Sequence, residues 1–207
     1  MNNAAKFVII MGVSGSGKTE VARRLALATQ GAWLDADDHH PAENVEHMRR
    51  GLPLNDEMRW PWLEALCQAA LKIRNDSTCA HNTASTSGEV APIFIACSAL
   101  KRRYRDFLRA GLGPDAAFIF LEGPRELILN RMNNRTDHFM PSALLDSQLG
   151  DLEPLAPDEG SVTVSIDAPL DDIVKQVADL LTIRNHNQYR TDPSASGRNG
   201  KPTSKGG

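Results

Sequence analysis

The chain has 207 residues, of which 41% are hydrophobic and 24% charged, and its formal net charge is −3. This length and balance predict one ordinary globular domain and argue against a nucleic-acid binder, which would usually carry a basic excess. No apolar run approaches the roughly 20 residues of a membrane span, and no signal peptide fits before the first predicted strand.

Five short apolar runs, separated by helical patterns, are the predicted strands. They cover Phe7–Met11, Ala32–Leu34, Ile93–Ala96, Phe118–Leu121 and Val162–Ile166. Apolar residues at helical spacing predict helices after the first strand, after Asn55, from Arg125 to about Met132 and from Asp171 to Leu181. The alternation predicts an α/β fold with a parallel sheet that is covered by helices on both faces.

The first predicted strand leads into a glycine-rich segment that matches G-x-x-x-x-G-K-[ST] at every fixed position. Its eight residues are Gly12, Val13, Ser14, Gly15, Ser16, Gly17, Lys18 and Thr19. Glycines let backbone N–H groups converge on a phosphate, and the N-terminus of the following helix adds partial positive charge. Lys18 can reach the β- and γ-phosphates, and the Thr19 hydroxyl can bind Mg²⁺. We therefore expect this segment to bind a nucleoside triphosphate.

Two aspartates, Asp35 and Asp37, follow the second predicted strand as Asp-x-Asp. Ligands of open parallel sheets bind beyond the carboxyl ends of the strands, where the phosphate loop also lies. A carboxylate there can orient Mg²⁺ and its water or accept a proton from a substrate hydroxyl. We expect Asp35 to bind Mg²⁺ together with Thr19, and Asp37 to act as the base. Exchanged roles, or solvated aspartates that cap the next helix, are the alternatives.

Three further residues are candidates for substrate binding. Arg59, just inside the long helix, and Lys101, after the third strand, are suitable partners for an anionic substrate, and His40 is expected to face it. Metal binding by the histidines is not expected, because their spacing fits no zinc pattern. The three cysteines lack CxxC pairing, which predicts free thiols in a reducing compartment, by default the cytoplasm.

Two polar stretches carry too little apolar surface to offset the entropy lost on ordering. Residues 75–91 are predicted to form a mobile surface loop and residues 185–207 a disordered tail, which leaves residues 1–184 as a single domain. Arg131 and Arg135 follow the fourth strand and predict a short lid over about residues 132–150. Lid arginines neutralise charge on a transferring phosphoryl group, although arginines in such a position can also be simple surface residues.

Several blocks together resemble the bacterial-type (thermoresistant) gluconokinase family of P-loop small-molecule kinases. In order, over roughly residues 6–182, they are MGVSGSGKT, LDADDHHPAENVEHM, GLPLNDEMRWPWL, ACSALKRRYRDFLR, FIFLEGP and RMNNRTDHFMPSALLDSQLGDLEP. The resemblance implies a fold of the adenylate/shikimate kinase type with a five-stranded parallel sheet and a short lid. It also implies ATP, Mg²⁺ and transfer of the γ-phosphate to the 6-hydroxyl of D-gluconate, whose product feeds the pentose phosphate pathway.

The same resemblance implies roles for individual residues. Lys18, Asp37, Arg131 and Arg135 would be catalytic, and the acceptor would be bound by Asp37, His40, Arg59, Lys101 and His138. Family members are typically cytoplasmic and often homodimeric, so a homodimer is expected, whereas the composition predicts neither a nucleic-acid nor a membrane partner. The chain departs from the family pattern at Ala36, where glycine is usual, and at His47, where lysine is common. A kinase of another small anion, such as shikimate or a nucleoside monophosphate, is the nearest alternative. A nucleotide-dependent switch is disfavoured, because Asn-Lys-x-Asp and Asp-x-x-Gly are absent.

Overall fold

The structure, a computed structural model, describes residues 7–80, 91–134 and 142–188. Its centre is a parallel sheet in the order β2-β3-β1-β4-β5. The strands are β1 (Phe7–Met11), β2 (Ala32–Asp35), β3 (Ile93–Ala96), β4 (Ala117–Glu122) and β5 (Val162–Ser165). The predicted five-stranded α/β fold is confirmed, and every predicted strand lies within one residue of its observed ends.

At least one helix lies between each pair of consecutive strands, and a last helix follows β5. They are α1 (Lys18–Thr29), α2 (Ala42–Arg49), α3 (Asp56–Ala80), α4 (Arg102–Leu112), α5 (Arg125–Asn133), α6 (Ser142–Asp151) and α7 (Leu170–Gln188). Short 3-10 turns lie at Ala36–His39 and Pro157–Glu159. None of the helices in these ranges is both long and apolar enough to cross a membrane. Helix α2 was not predicted, because Asn44 is its only buried residue and no apolar stripe marks it.

The central strand β1 divides the interior into two apolar layers. Phe7, Ile9 and Met11 face one layer, and Val8 and Ile10 face the other, because successive side chains of a strand point to opposite faces. Residues of α3 and α4 complete the first layer, and residues of α1, α5 and α7 complete the second. All five residues of β1 are buried. The phosphate loop therefore starts from a rigid position in the middle of the sheet.

Both stretches that were predicted to lack structure are partly helical. Helix α3 continues through Ala80, so the prediction of a loop over 75–91 is wrong for residues 75–80, while residues 81–90 lie outside the described chain. Helix α7 continues to Gln188 and includes the first four residues of the predicted tail, and residues 189–207 again lie outside. A helix that has already formed gains one hydrogen bond per added residue, so polar residues can extend it.

Two of the cysteines are free thiols, as the sequence predicted. Cys67 and Cys97 are both buried. Burial raises the pKa of the Cys67 thiol to about 11 and that of the Cys97 thiol to about 12. Both thiols are therefore neutral at physiological pH and act as apolar packing groups. The side chain of Cys79 lies outside the described part of the structure.

Candidate active site

The phosphate loop lies at the carboxyl edge of the sheet, between β1 and α1. Gly12 and Gly15 have positive φ angles of 144° and 84°. A Cβ at Gly12 would lie 2.8 Å from a carbonyl oxygen of β4, and one at Gly15 would lie 2.7 Å from a side-chain carbon of α5. Only glycine fits both positions without displacing a neighbour. The Lys18 ammonium donates a hydrogen bond of 3.1 Å to the Val13 carbonyl, so the lysine folds back over its own loop.

The end of the phosphate loop meets the end of β2 through a side-chain hydrogen bond. The Thr19 hydroxyl donates to Asp35 Oδ2 at 2.7 Å, and Asp35 Oδ1 accepts from the Asp37 backbone N–H at 3.0 Å. Hydroxyl and carboxylate oxygens are ligands that Mg²⁺ accepts, so this pair fits the ion. Among the described residues, no group of three or more His, Cys, Asp or Glu side chains converges. A magnesium ion here would take its remaining ligands from phosphate and water.

Asp37 lies in the 3-10 turn that directly follows β2, and its environment differs from that of Asp35. Its side chain is 85% exposed, and Oδ1 lies 3.8 Å from His40 Nε2. Both oxygens of Asp35 accept hydrogen bonds from the protein, and the Asp37 carboxylate is largely exposed to the solvent that an acceptor would displace. This difference favours Asp35 as the metal ligand and Asp37 as the group that contacts the acceptor.

His40 is held as a neutral ring beside Asp37. It stacks on Trp62 with ring centroids 4.2 Å apart and an interplanar angle of 12°, and the Trp62 indole N–H donates to the Ala36 carbonyl at 2.6 Å. Burial, together with the positive charge of Arg59, lowers the pKa of His40 to about 4. At neutral pH the ring therefore has one N–H donor and one acceptor nitrogen for a polar substrate.

Asn44 lies four residues after His40 in the LDADDHHPAENVEHM block, and no role was predicted for it. It is buried, and its Nδ2 donates to the Met58 carbonyl at 2.9 Å and lies 3.5 Å from His40 Nδ1. The first contact ties α2 to the first turn of α3. Asn44 therefore holds α2 and the start of α3 together beside the His40 ring.

Arg59 and Lys101, predicted as the anion-binding pair, converge on one carboxylate. Arg59 Nη2 lies 3.3 Å from Asp151 Oδ2, and Lys101 Nζ lies 2.8 Å from Asp151 Oδ1. Their side chains are 15% and 19% exposed, and that of Asp151 is 27% exposed. Arg59 also donates to the Tyr104 hydroxyl at 2.9 Å. The two cations thus form a partly buried site that is shaped to hold a carboxylate.

The turn that carries Lys101 is held by a fully buried ion pair. The Arg105 guanidinium donates to Glu159 Oε1 at 2.9 Å and to the Leu100 carbonyl at 2.8 Å. Neither side chain of the pair is exposed to solvent. Ala99, in the same turn, has a positive φ of 45°, a conformation that non-glycine residues adopt only when their surroundings impose it. Arg105 therefore supports the backbone from which Lys101 reaches the site.

Helix α6 contributes two site residues that sequence reasoning missed. Gln148 Oε1 accepts a hydrogen bond of 2.7 Å from the backbone N–H of Ser14 in the phosphate loop. Gln148 and Asp151 are three residues apart, so they share one helix face. A helical signal was present in Leu145, Leu149 and Leu152, which are buried or packed against the core. This stretch lies largely in the predicted lid, and its helical periodicity is the signal that could have identified α6.

The two arginines predicted for the lid, and the histidine predicted nearby as an acceptor-binding residue, are only partly described. Arg131, near the end of α5, donates to the Ile166 carbonyl at 2.8 Å, beside the carboxyl end of β5. Arg135 and His138 lie outside the described residues, so their predicted roles stay predictions. Within the predicted lid of residues 132–150, α5 ends at Asn133 and α6 begins at Ser142.

Comparison with known proteins gives a consistent family assignment. A family model described as an AAA domain matches residues 7–155. The chain is 40% identical to the thermosensitive gluconokinase of Escherichia coli over 195 residues, which covers 93% of this chain and 97% of that protein. It is 38% identical to the thermoresistant gluconokinase of the same organism over 181 residues, covering 87% and 95% of the two chains.

Solved structures agree with this assignment. A crystal structure of a gluconokinase from Sinorhizobium meliloti is 37% identical and superimposes with a TM-score of 0.76, covering 91% of this chain and 98% of that one. An APS kinase from Mycobacterium tuberculosis is 19% identical with a TM-score of 0.58, covering 86% and 98%. The second similarity concerns the fold alone, which is that of the P-loop small-molecule kinases.

Proposed function

This chain belongs to the gluconokinase family of P-loop kinases, from which we infer that it catalyses the ATP-dependent phosphorylation of D-gluconate at the 6-hydroxyl to give 6-phospho-D-gluconate. The observation that carries the inference is the 40% identity with a gluconokinase across nearly the whole of both chains. The site supports it independently, because a phosphate loop and a two-cation carboxylate site lie at the same edge of the sheet.

As a P-loop kinase the protein uses ATP, whose phosphates we place in the loop of residues 12–19. Backbone N–H groups and the Lys18 ammonium would hold the β- and γ-phosphates. The Thr19 hydroxyl and the Asp35 carboxylate, 2.7 Å apart, would hold Mg²⁺. When bound, the ion neutralises charge on the β- and γ-phosphate oxygens.

Gluconate has a carboxylate at one end and the reacting hydroxyl at the other. We place the carboxylate on Arg59 and Lys101, whose charged groups already converge on a carboxylate. The neutral ring of His40, held against Trp62, would bind a hydroxyl of the acceptor. This placement directs the far end of the acceptor toward Asp37 and the phosphate loop.

Transfer requires the 6-hydroxyl to lie in line with the γ-phosphate at roughly 3 Å. We assign to Asp37 the orientation of this hydroxyl and acceptance of its proton as the new O–P bond forms. Lys18 and the two arginines, Arg131 and Arg135, would neutralise the charge of the transferring phosphoryl group. Arg131 would first exchange its hydrogen bond with the Ile166 carbonyl for the nucleotide.

An acceptor screen tests the proposed function directly. ADP release is measured with ATP and Mg²⁺ in the presence of gluconate, shikimate, AMP or no acceptor, and the phosphorylated carbon is identified by NMR. The variant Lys18→Ala, purified in parallel, controls for a contaminating kinase. We expect turnover with gluconate to exceed that with the other acceptors by at least about 100-fold, since an acceptor of another shape does not place its hydroxyl in line with the γ-phosphate. Faster turnover of shikimate or AMP would contradict the assignment.

We also infer that the protein is a cytoplasmic homodimer, as the family resemblance implies. Sedimentation equilibrium of the full chain tests the oligomeric state, and a single species at the mass of one chain across the micromolar range would contradict it.

A further inference from the structure

Two side chains on one face of α6 contact both parts of the site, the phosphate loop and the pair of cations that we assign to the acceptor. Gln148 accepts a hydrogen bond from the phosphate loop through Ser14, while Asp151 holds Arg59 and Lys101. The two α6 side chains make the contacts that the two ligands would make. The Gln148 carboxamide oxygen accepts a hydrogen bond from a backbone N–H that could instead donate to a phosphate oxygen. The Asp151 carboxylate pairs with the two cations that the carboxylate of a sugar acid would need.

The space between these contacts is too small for the acceptor. The cavity lined by Arg59, Tyr104, Gln148 and Asp151 has a volume of about 30 Å³. A cavity of that size holds a water molecule or two, far less than a six-carbon acid. An acceptor bound to Arg59 and Lys101 would therefore overlap with both α6 side chains.

We propose that Asp151 occupies the place of the acceptor's carboxylate in the unliganded enzyme, so that gluconate binds by exchange with it and thereby releases Gln148 from the phosphate loop. The inference rests on the proposed function, since it takes gluconate as the acceptor. Asp151 is then a specificity-determining residue. A neutral polyol has no charge to offer in exchange, and its binding would leave two partly buried cations without a partner.

The exchange has a thermodynamic consequence for both ligands. When the competent state is only a fraction of the population, the apparent dissociation constant of each ligand is its intrinsic dissociation constant divided by that fraction. The first ligand to bind displaces α6, and the second then binds to a site already cleared. Gluconate and nucleotide should therefore bind with positive cooperativity, and the cooperativity should depend on Asp151 and Gln148.

The competing explanation is that Asp151 positions Arg59 and Lys101 for the acceptor. The two explanations predict opposite signs for the same substitution. If Asp151 competes with the acceptor, Asp151→Asn strengthens gluconate binding, because the amide holds two cations less well than the carboxylate does. If Asp151 positions the cations, the same substitution weakens binding.

Calorimetric titration of full-length protein with gluconate, with and without a non-hydrolysable ATP analogue and Mg²⁺, distinguishes them. We expect Asp151→Asn to lower the gluconate Kd in the absence of nucleotide by about tenfold, the order expected from removing one partly buried charged contact. The ratio of gluconate Kd values without and with the analogue should exceed one in the wild type and fall toward one in Asp151→Asn and in Gln148→Ala. The second variant leaves Asp151 unchanged, so it tests the link to the phosphate loop separately.

The matched control lies on the same helix. Asp146 is also paired with an arginine, Arg125, at 2.7 Å, but neither residue lines the cavity. Asp146→Asn makes the same change of charge and should leave gluconate binding unchanged. An unchanged or higher Kd in Asp151→Asn, with a wild type that phosphorylates gluconate, would overturn the inference alone. A wild type that does not phosphorylate gluconate would overturn the proposed function and this inference with it.

Discussion

The Thr19 hydroxyl and Asp35 Oδ2 lie 2.7 Å apart, so the first residues of α1 and the last residue of β2 are joined by a side-chain hydrogen bond. This contact brings together two oxygen atoms from separate parts of the chain that could bind Mg²⁺. It supports different proposed roles for Asp35 and Asp37, which the first two predictions test.

Asp35→Asn should raise the Mg²⁺ concentration that gives half-maximal activity. The amide keeps the shape of the side chain but loses the negative charge that a hard cation requires. We expect an increase of roughly tenfold, typical of altered support around a metal site. Titration of activity against Mg²⁺ at saturating ATP measures it. Asp38→Asn, an exposed neighbour in the same turn, is the control. An equal effect in both variants would place the metal elsewhere.

Asp37→Asn should lower kcat by roughly 10²–10⁴, the usual range for loss of a general base. The phosphate loop is untouched, so the affinity for a non-hydrolysable ATP analogue should not change. Single-turnover kinetics with a separate binding titration give both quantities. Normal turnover by Asp37→Asn combined with loss of turnover by Asp35→Asn would reverse the two assignments.

His40 should make folding stability depend on pH. Burial and Arg59 lower its pKa from 6.5 in the unfolded chain to about 4 in the folded one. Between these values the unfolded chain binds the proton and the folded chain does not, so stability falls as the pH falls through this window. We expect the wild type to lose about 1–2 kcal/mol more than His40→Gln between pH 7 and pH 5. Urea denaturation at both pH values measures the difference, and parallel losses would contradict the prediction.

Glu159→Gln should destabilise the fold and weaken the acceptor site together. It leaves the fully buried Arg105 guanidinium without its charged partner, which costs about 3 kcal/mol or more when a buried ion pair is broken. The turn that carries Lys101 should loosen as a result, raising the KM for gluconate more than the KM for ATP. Urea denaturation and steady-state kinetics measure the two effects. Asp158→Asn, in the exposed neighbouring pair with Arg102, should change neither by much.

Local sequence signals were sufficient for the sheet and the phosphate loop. A buried parallel strand is apolar along its whole length, so Phe7–Met11 and Ile93–Ala96 were predicted with their observed ends. Gly12 and Gly15, where neighbouring atoms leave no room for a Cβ, belong to a glycine pattern that a single sequence reveals. Arg59 and Lys101 were found by their positions after strand ends and helix starts.

The contacts of α6 could not be predicted in the same way. Gln148 lies 134 residues from Ser14 in the chain, and no local pattern reports a contact across such a distance. Asp151 was hidden for a further reason. A carboxylate that holds two cations in place of a ligand is, in sequence, an ordinary polar residue at a helix end. The ends of α3 and α7 were misplaced because polar composition was read as loop, although their helices had formed further upstream.

The strand order has a consequence for how the molecule is made. β1 is synthesised first, yet its neighbours in the sheet are β3 and β4, which begin at Ile93 and Ala117. At ordinary rates of translation, the apolar strand β1 leaves the ribosome on the order of ten seconds before either of the strands that pair with it. A nascent chain that ends before β4 cannot close the phosphate loop against its neighbours and cannot gain stability from ATP. The nucleotide can thus stabilise the newly made enzyme only after more than half of the chain has emerged.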